Sequence, residues 1–201
     1  MALPACGTVI YAADFSIAGQ GSTHDTVGDG FETSPVTGAN WTLTFGSLSS
    51  DTTTNEFITT GGLIRVQDWG GSGTITSDTI VTTGAGTVDI SGAALTIGTD
   101  AFNAGAEGIT WFYTLNGSTT SLTISGPDPV NSGTDVGNVF SDVAVEAGDI
   151  LTVGFTVVVD GLSDGVEVSS LTVDFTPIPE PSAPLLSGMA CLLAVFRRKR
   201  A

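Results

Sequence analysis

The fold is decided by the stretch Ile109-Thr110-Trp111-Phe112-Tyr113-Thr114-Leu115, the dipeptide Asn116-Gly117 and the run Thr119 to Ser125 that follows it. In the first run the large apolar side chains occupy odd positions, while threonine and one phenylalanine occupy even positions. This period of two is typical of a β-strand that buries one face. Asn-Gly between two such runs is the strongest short-range signal of a β-hairpin. The stretch therefore predicts an antiparallel strand pair.

Outward from this hairpin, the same alternation recurs along the chain. Trp41, Leu43 and Phe45 alternate with threonines, and a long apolar face in the run Ile150 to Asp160 predicts a central strand. Other runs predict strands within the ranges 8–16, 63–68, 74–81, 87–97 and 139–145. The polar stretch 18–39 is predicted to be a long loop.

These runs make about ten strands, and no amphipathic helix pattern occurs before residue 177. Without helices to carry crossover connections, a parallel sheet is disfavoured, and antiparallel sheets must pack on each other. We therefore predict an all-β fold, a two-sheet antiparallel β-sandwich of jelly-roll type, followed by a short C-terminal hydrophobic helix.

The last strand contains a break in its alternation. Val166 and Val168 are even-numbered, whereas Leu171, Val173 and Phe175 are odd-numbered. One face cannot bury both sets unless an extra residue intervenes, so we predict a β-bulge or short break at Ser169-Ser170. We also predict that the segments 11–15 and 171–175 pair as the first and last strands.

The charge of the chain is strongly asymmetric. Residues 1–176 hold 20 acidic residues against the single base Arg65, whereas the last four basic residues form a cluster at the C-terminus. Such an acidic body repels nucleic acid and anionic lipid headgroups, so no nucleic-acid partner is predicted. The acidic surface either keeps the domain soluble or recruits divalent cations.

Sequence signatures of catalysis are scarce. The chain has one histidine, no Gly-x-Ser-x-Gly, and no phosphate-binding or dinucleotide-binding glycine motif. Cys6 lies near the start of the chain and Cys191 lies within the apolar C-terminal stretch, so no disulfide between them is predicted. Paired carboxylates hydrolyse glycosides in other proteins, but spacing selects no pair here. We predict that the protein is not an enzyme. A degenerate glycoside-active enzyme ranks third, after the two non-enzymatic interpretations given below.

Two acidic, glycine-rich segments are candidates for a structural Ca²⁺ site. Calcium takes six to eight oxygen ligands from carboxylates and carbonyls on tightly turning loops. Neither segment has the EF-hand spacing, and Asp-Gly pairs are also what ordinary turns contain. The candidate ligands are Asp25, Asp29 and Glu32 in the first segment and Asp160 and Asp164 in the second.

A carbohydrate site would need an exposed aromatic platform with polar neighbours. Trp69 lies at a strand end beside Gly70 and Gly71 and is the candidate platform, although packing at a sheet edge is the favoured reading. Trp41, Trp111 and Tyr113 lie within alternating runs and are predicted to belong to the core.

The C-terminal segment has three consecutive parts. Pro179-Glu180-Pro181 is followed by an apolar stretch, 182–196, and then by Arg197, Arg198, Lys199 and Arg200. As a helix the stretch would reach ~22 Å, which is short of the ~30 Å hydrocarbon core, so it reads better as a processed signal than as a permanent anchor. The large apolar residues of the stretch are Leu185, Leu186, Met189, Leu192, Leu193, Val195 and Phe196.

This arrangement resembles the PEP-CTERM sorting signal of Gram-negative bacteria. In that family, exosortase, a membrane enzyme, recognises the signal and is thought to cleave near the Pro-Glu-Pro. The resemblance implies export, transient anchoring of the tail in the inner membrane, and delivery to the cell envelope or extracellular matrix. It covers only about 25 residues and implies nothing about the body of the chain.

The sequence thus predicts three parts: residues 1–7 as the remnant of a signal peptide, 8–176 as the β-sandwich domain, and 177–201 as the sorting signal. The leading functional interpretation is an exported, non-enzymatic surface or extracellular-matrix protein. The alternative is a surface-displayed carbohydrate-binding module whose partner is an extracellular polysaccharide.

Overall fold

The computed structural model describes residues 7–24, 36–48, 55–67, 70–98, 102, 107–125, 133, 135–159 and 164–178. Side chains are described for all of these except residues 22–24, 47, 48, 55, 138 and 164. The strands in these ranges are β1 (Thr8–Ala12), β2 (Gly21–His24), β3 (Val36–Thr37), β4 (Trp41–Leu48), β5 (Asn55–Thr60), β6 (Leu63–Gln67), β7 (Gly71–Ser77), β8 (Ile80–Val81), β9 (Gly86–Gly98), β10 (Gly108–Leu115), β11 (Ser118–Ser125), β12 (Asn138–Val145), β13 (Ile150–Val159) and β14 (Asp164–Pro177).

The strands form two antiparallel sheets. The first sheet has the order β12-β9-β14-β6-β5-β2, and β1 also pairs with β14. The second has the order β11-β10-β13-β7-β4-β3, and β8 also pairs with β13. The predicted two-sheet antiparallel β-sandwich is therefore confirmed. The predicted C-terminal helix falls on residues outside the described ranges.

The β10–β11 hairpin forms as the sequence predicts. Its eight residue pairs run without a register shift from Gly108↔Ser125 to Leu115↔Ser118. Asn116 and Gly117 both have positive φ, at 50° and 84°, which is the backbone that a tight hairpin turn requires. β13 lies beside β10 in the interior of the second sheet, which confirms it as a central strand.

The predicted bulge is also present. In the pairing of β14 with β9, Val168 is opposite Ala94 but Ser170 is opposite Ala93, so Ser169 is the extra residue. Val168 on one side of the bulge and Leu171 on the other are consequently both buried. β1 pairs with β14 through Thr8↔Phe175 to Ala12↔Thr172, which confirms the predicted pairing of first and last strands, although β1 ends at Ala12.

The inner faces of the two sheets interlock through aromatic side chains and glycines. A β-carbon at Gly92 in the first sheet would collide with the indole of Trp111 in the second. Conversely, a β-carbon at Gly73 in the second sheet would collide with the ring of Phe57 in the first. Each large ring therefore occupies the space left by a glycine in the opposite sheet, so the sheets pack closely.

The predicted core residues lie where the alternation places them. Trp41 and Trp111 are buried, and the Trp111 indole N–H donates a 2.9 Å hydrogen bond to the carbonyl of Val136. The ring of Trp111 packs 5.3 Å from that of Phe155. Tyr113 is half-buried on the same face, with its ring edge-on to Phe140 at 5.1 Å.

The prediction of one long loop over 18–39 was wrong in part. Gly21–His24 forms β2, which pairs with β5, and Val36–Thr37 forms β3, which pairs with β4. Both are edge strands, and they are defined by backbone pairing with one neighbouring strand. They therefore lack the apolar alternation by which a strand with a buried face is recognised in the sequence. In β5 the two large apolar residues, Phe57 and Ile58, are adjacent and do not alternate, so this strand was not predicted either.

We expect deletion of Ser169 to unfold the domain or to weaken it severely. Without the extra residue, either Val166 and Val168 or the apolar residues after the bulge would turn to solvent. Exposing two buried valines alone costs about 3 kcal/mol or more, a large part of a typical domain's total stability. Urea denaturation measures this loss.

Ser169→Ala is the matched control. Ser169 is exposed and keeps its place in the backbone in that variant, so its unfolding midpoint should be close to that of the parent chain. Equal stability of the deletion variant and the parent would contradict the role of the bulge.

Candidate functional site: the outer face of the second sheet

The outer face of the second sheet is lined by hydroxyl side chains. Because most inner positions of β4, β7, β10 and β13 are buried, the alternate positions of these strands, and of their neighbours β3 and β11, lie on the outer face of the sheet. We call this surface the hydroxyl face. Its residues are Thr37, Thr42, Thr44, Ser72, Thr74, Thr76, Thr110, Phe112, Thr114, Thr119, Ser121, Thr123, Thr152, Gly154, Thr156 and Val158.

Cross-strand hydrogen bonds order these hydroxyls. Thr74 and Thr156 are joined through their Oγ1 atoms at 2.8 Å. The same distance joins Thr110 to Thr123 and Thr114 to Thr119. In each pair one hydroxyl donates and the other accepts, so the accepting hydroxyl keeps its own hydrogen for a further partner.

Phe112 is the one aromatic residue of the hydroxyl face. It lies opposite Gly154 in the register of β10 and β13. A β-carbon at Gly154 would lie 2.5 Å from Cζ of Phe112, so the ring leans across β13 over the glycine. Phe112 is half-buried in this position. The arrangement places an aromatic ring low on the sheet with threonines on the strands around it.

No residue of the hydroxyl face is ionisable, which sets it apart in a domain this acidic. Positions on the outer face of the first sheet are different: Asp89 is directly opposite Asp174, and Arg65 binds Glu167 with Nη2–Oε1 at 2.6 Å. The two outer surfaces of the sandwich therefore have different chemistry, one charged and one neutral.

A hydrogen-bonded turn borders the hydroxyl face beyond Leu115. Asn116 donates through Nδ2 to Asp149 at 2.8 Å and accepts from the Ile150 amide at 3.0 Å, which ties the hairpin turn to the start of β13. The hydrogen bond from the Glu146 amide, followed by that from Asn116, lowers the pKa of the Asp149 carboxyl. Asp149 is therefore a carboxylate at neutral pH, at the rim of the neutral surface.

Most of the site residues predicted from sequence lie outside the described residues. These are the calcium candidates Asp25, Asp29, Glu32 and Asp160, the platform candidate Trp69, and the sorting signal from Pro179 to Arg200. The backbone of Asp164, the remaining calcium candidate, is described: it begins β14 and pairs with Gly98.

Among the described residues, no cluster of three or more His, Cys, Asp or Glu residues is arranged to hold a metal ion. No helix there is long and apolar enough to cross a membrane.

Phe112 was not predicted from the sequence as a site residue. Its signal was present: it is an aromatic residue at an even, threonine-rich position of a strand whose odd positions form the core. The neighbours that make it a candidate site come from other strands, and only the register brings them together.

Solved structures with a similar fold include TmCBM61 in complex with beta-1,4-galactotriose (11% identity, TM-score 0.39, covering 67% of this chain and 81% of that one). They also include the CBM22-1 xylan-binding domain from Paenibacillus barcinonensis Xyn10C (10% identity, TM-score 0.36, covering 89% and 100%). The enzymatically active domain of bacteriophage CBA120 tailspike protein 4 is similar too (15% identity, TM-score 0.41, covering 68% and 19%). No protein-family model and no curated protein matches the chain.

We expect Gly154→Ala to destabilise the domain by about 1–3 kcal/mol, the usual cost of overpacking. The new methyl group would meet both the backbone oxygen of Ile75 and the ring of Phe112, so the ring must lift from the sheet. Urea denaturation gives the free energy of unfolding, and Phe112→Ala in the same background should recover part of the loss.

Gly84→Ala is the matched control. A β-carbon there would meet nothing closer than 3.9 Å, so stability should be unchanged or slightly raised. If Gly154→Ala behaved like this control, Phe112 would not lie over Gly154.

Proposed function

We propose that this protein is a non-enzymatic, polysaccharide-binding module displayed outside the cell, and that the hydroxyl face is its binding surface. The observation that carries the proposal is the Phe112 ring lying across Gly154 at an uncharged, hydroxyl-lined sheet surface. The C-terminal resemblance to a PEP-CTERM signal supports the display.

The chemistry of a sugar matches the chemistry of this surface. A pyranose ring has an apolar face of C–H groups, which stacks on an aromatic side chain, and a rim of hydroxyls that both donate and accept hydrogen bonds. Phe112 supplies the first kind of contact and the paired threonines supply the second. Binding sites commonly combine an aromatic surface with a few placed polar groups in this way.

The rigid setting of these groups favours binding. The threonine side chains are β-branched, with restricted χ1, and three pairs are already tied by hydrogen bonds. Phe112 is held against the backbone of a central strand. Little side-chain freedom would be lost on binding, which lowers the entropic cost of association.

The alternative is a matrix protein in which the domain has a purely structural role and binds no glycan. In that case the threonines of the hydroxyl face would act only as good strand formers, since β-branched residues fit a pleated surface. The position of Phe112 favours the binding module, because its half-buried ring adds an aromatic surface to an outer face that consists mostly of hydroxyl side chains.

We expect Phe112→Ala to lower the affinity for polysaccharide at least tenfold, corresponding to about 1.4 kcal/mol, because the stacking surface is lost. A glycan array with the full chain identifies the bound polysaccharide, and calorimetry with that ligand measures the change. Thermal unfolding checks that the variant remains folded.

Leu95→Ala is the matched control for this loss. Leu95 is 47% exposed on the outer face of the first sheet, so its truncation removes comparable apolar surface from the opposite side of the domain. Its affinity should equal that of the parent chain. An array without saturable binding, or equal affinities for the Phe112→Ala variant and the parent, would contradict the proposed function.

Processing of the tail is tested separately. We expect the mature protein recovered from outside its native cells to lack Arg197–Arg200, since the basic cluster belongs to the signal. Intact-mass spectrometry measures this, with a variant in which Pro179, Glu180 and Pro181 are all replaced by alanine as the unprocessed reference. An exported native chain that keeps all four basic residues would rule out processing.

A further inference from the structure

The hydroxyl face contains a row of five threonines on five adjacent strands. Thr44 is opposite Thr74, Thr74 is opposite Thr156, Thr156 is opposite Thr110, and Thr110 is opposite Thr123. The row therefore runs straight across β4, β7, β13, β10 and β11, perpendicular to the strands. We call it the threonine row.

A second row lies two residues along each strand. It contains Thr42, Thr76, Gly154, Phe112 and Ser121, again opposite one another in register. The rows are ~6.7 Å apart, because each residue advances a strand by ~3.3–3.4 Å. The Phe112 ring thus borders the threonine row along part of its length.

The dimensions of the threonine row fit an extended chain of sugars. Neighbouring strands are ~4.8 Å apart, so the four intervals of the row span roughly 19 Å. An extended polysaccharide whose pyranose units are joined through equatorial β-bonds advances by close to one strand spacing per sugar. Such a chain laid across the strands would offer one sugar to each threonine in turn. Chains of α-linked sugars coil, and they would lose this register after one or two strands.

We propose that the hydroxyl face binds a single chain of neutral, extended, β-linked polysaccharide that lies across the strands along the threonine row and stacks on Phe112. This rests on the proposed function and specifies the class of ligand for the same surface.

The charge of the domain requires a neutral ligand. The hydroxyl face has no cationic group to pair with a uronate or sulfate, and residues 1–176 hold 20 acidic residues against one basic residue. A polyanionic chain would be repelled on approach and would bring carboxylates that no residue of the face could neutralise.

The twist of the sheet requires that the ligand be a single polysaccharide chain and not the surface of a crystalline polysaccharide. Adjacent strands in a sheet are rotated by roughly 20–25°, so the threonine row follows a twisted path. One flexible polysaccharide chain can follow that path, whereas the flat surface of a crystalline polysaccharide can meet only a strand or two at once.

The test uses the full chain and oligosaccharides of graded length. Calorimetry with xylo- and cello-oligosaccharides, from the disaccharide to the hexasaccharide, should show affinity rising and then levelling at about the tetra- or pentasaccharide, given the ~19 Å row. Affinity gel electrophoresis compares soluble xylan with alginate and with amylose, and a pull-down uses microcrystalline cellulose. Soluble neutral β-linked chains should bind best.

Thr156→Val tests the threonine row directly. Thr156 lies in the middle of the row, and valine preserves its shape but removes the hydroxyl, so affinity should fall roughly three- to tenfold. Thr172→Val on the outer face of the first sheet is the matched control and should leave affinity unchanged. Thermal unfolding shows whether either variant is destabilised.

The possible outcomes separate this inference from the proposed function. Phe112-dependent binding that is tightest for alginate, amylose or crystalline cellulose would overturn the inference and leave the proposed function standing. Affinity that is already maximal for the disaccharide, or unaffected by Thr156→Val, would also overturn it. Absence of Phe112-dependent binding to any polysaccharide would overturn both.

Discussion

The strict two-residue period of the strands is the constraint on which the rest of this structure depends. It sends every second side chain of β4, β7, β10 and β13 into the core, where Trp111 packs over Gly92 and Phe57 over Gly73. The remaining positions lie on the outer faces, and in the second sheet most of them are threonine. The positions of the hydroxyl face therefore alternate with those of the core. Close packing in the core fixes the spacing of the residues on the outer face.

The two outer surfaces of the sandwich divide the polar residues between them. Asp89 and Asp174 face each other on the first sheet, and the described Arg65–Glu167 ion pair lies there too. Like charges directly opposite each other weaken a sheet, so this arrangement has a cost in stability. The second sheet avoids that cost because its cross-strand partners are hydroxyls that bind each other. The uncharged outer face of the second sheet thus lies on the opposite side of the domain from the charged outer face of the first sheet.

Much of the fold could be predicted from the sequence because its signals are local. The hairpin at Asn116-Gly117, the central strand β13 and the bulge at Ser169 are each specified by residues that are neighbours in the sequence. β2, β3 and β5 were not predicted because pairing with neighbouring strands, more than their own alternation, defines them. The candidate site was not predicted for a related reason. Thr44, Thr156 and Thr123 are far apart in the chain, and only the registers of four strand pairs bring them into one row.

The position of β14 has a consequence for how the chain folds. β14 is the last strand in sequence, yet it lies in the interior of the first sheet and pairs with β9, β6 and β1. The first sheet cannot be completed until residues 164–177 have been synthesised. Its strand pairs join residues as distant in the sequence as Thr8 and Phe175. Folds dominated by such long-range pairings form slowly, in milliseconds to seconds. The nascent chain is therefore without its complete sandwich until the last strand is available.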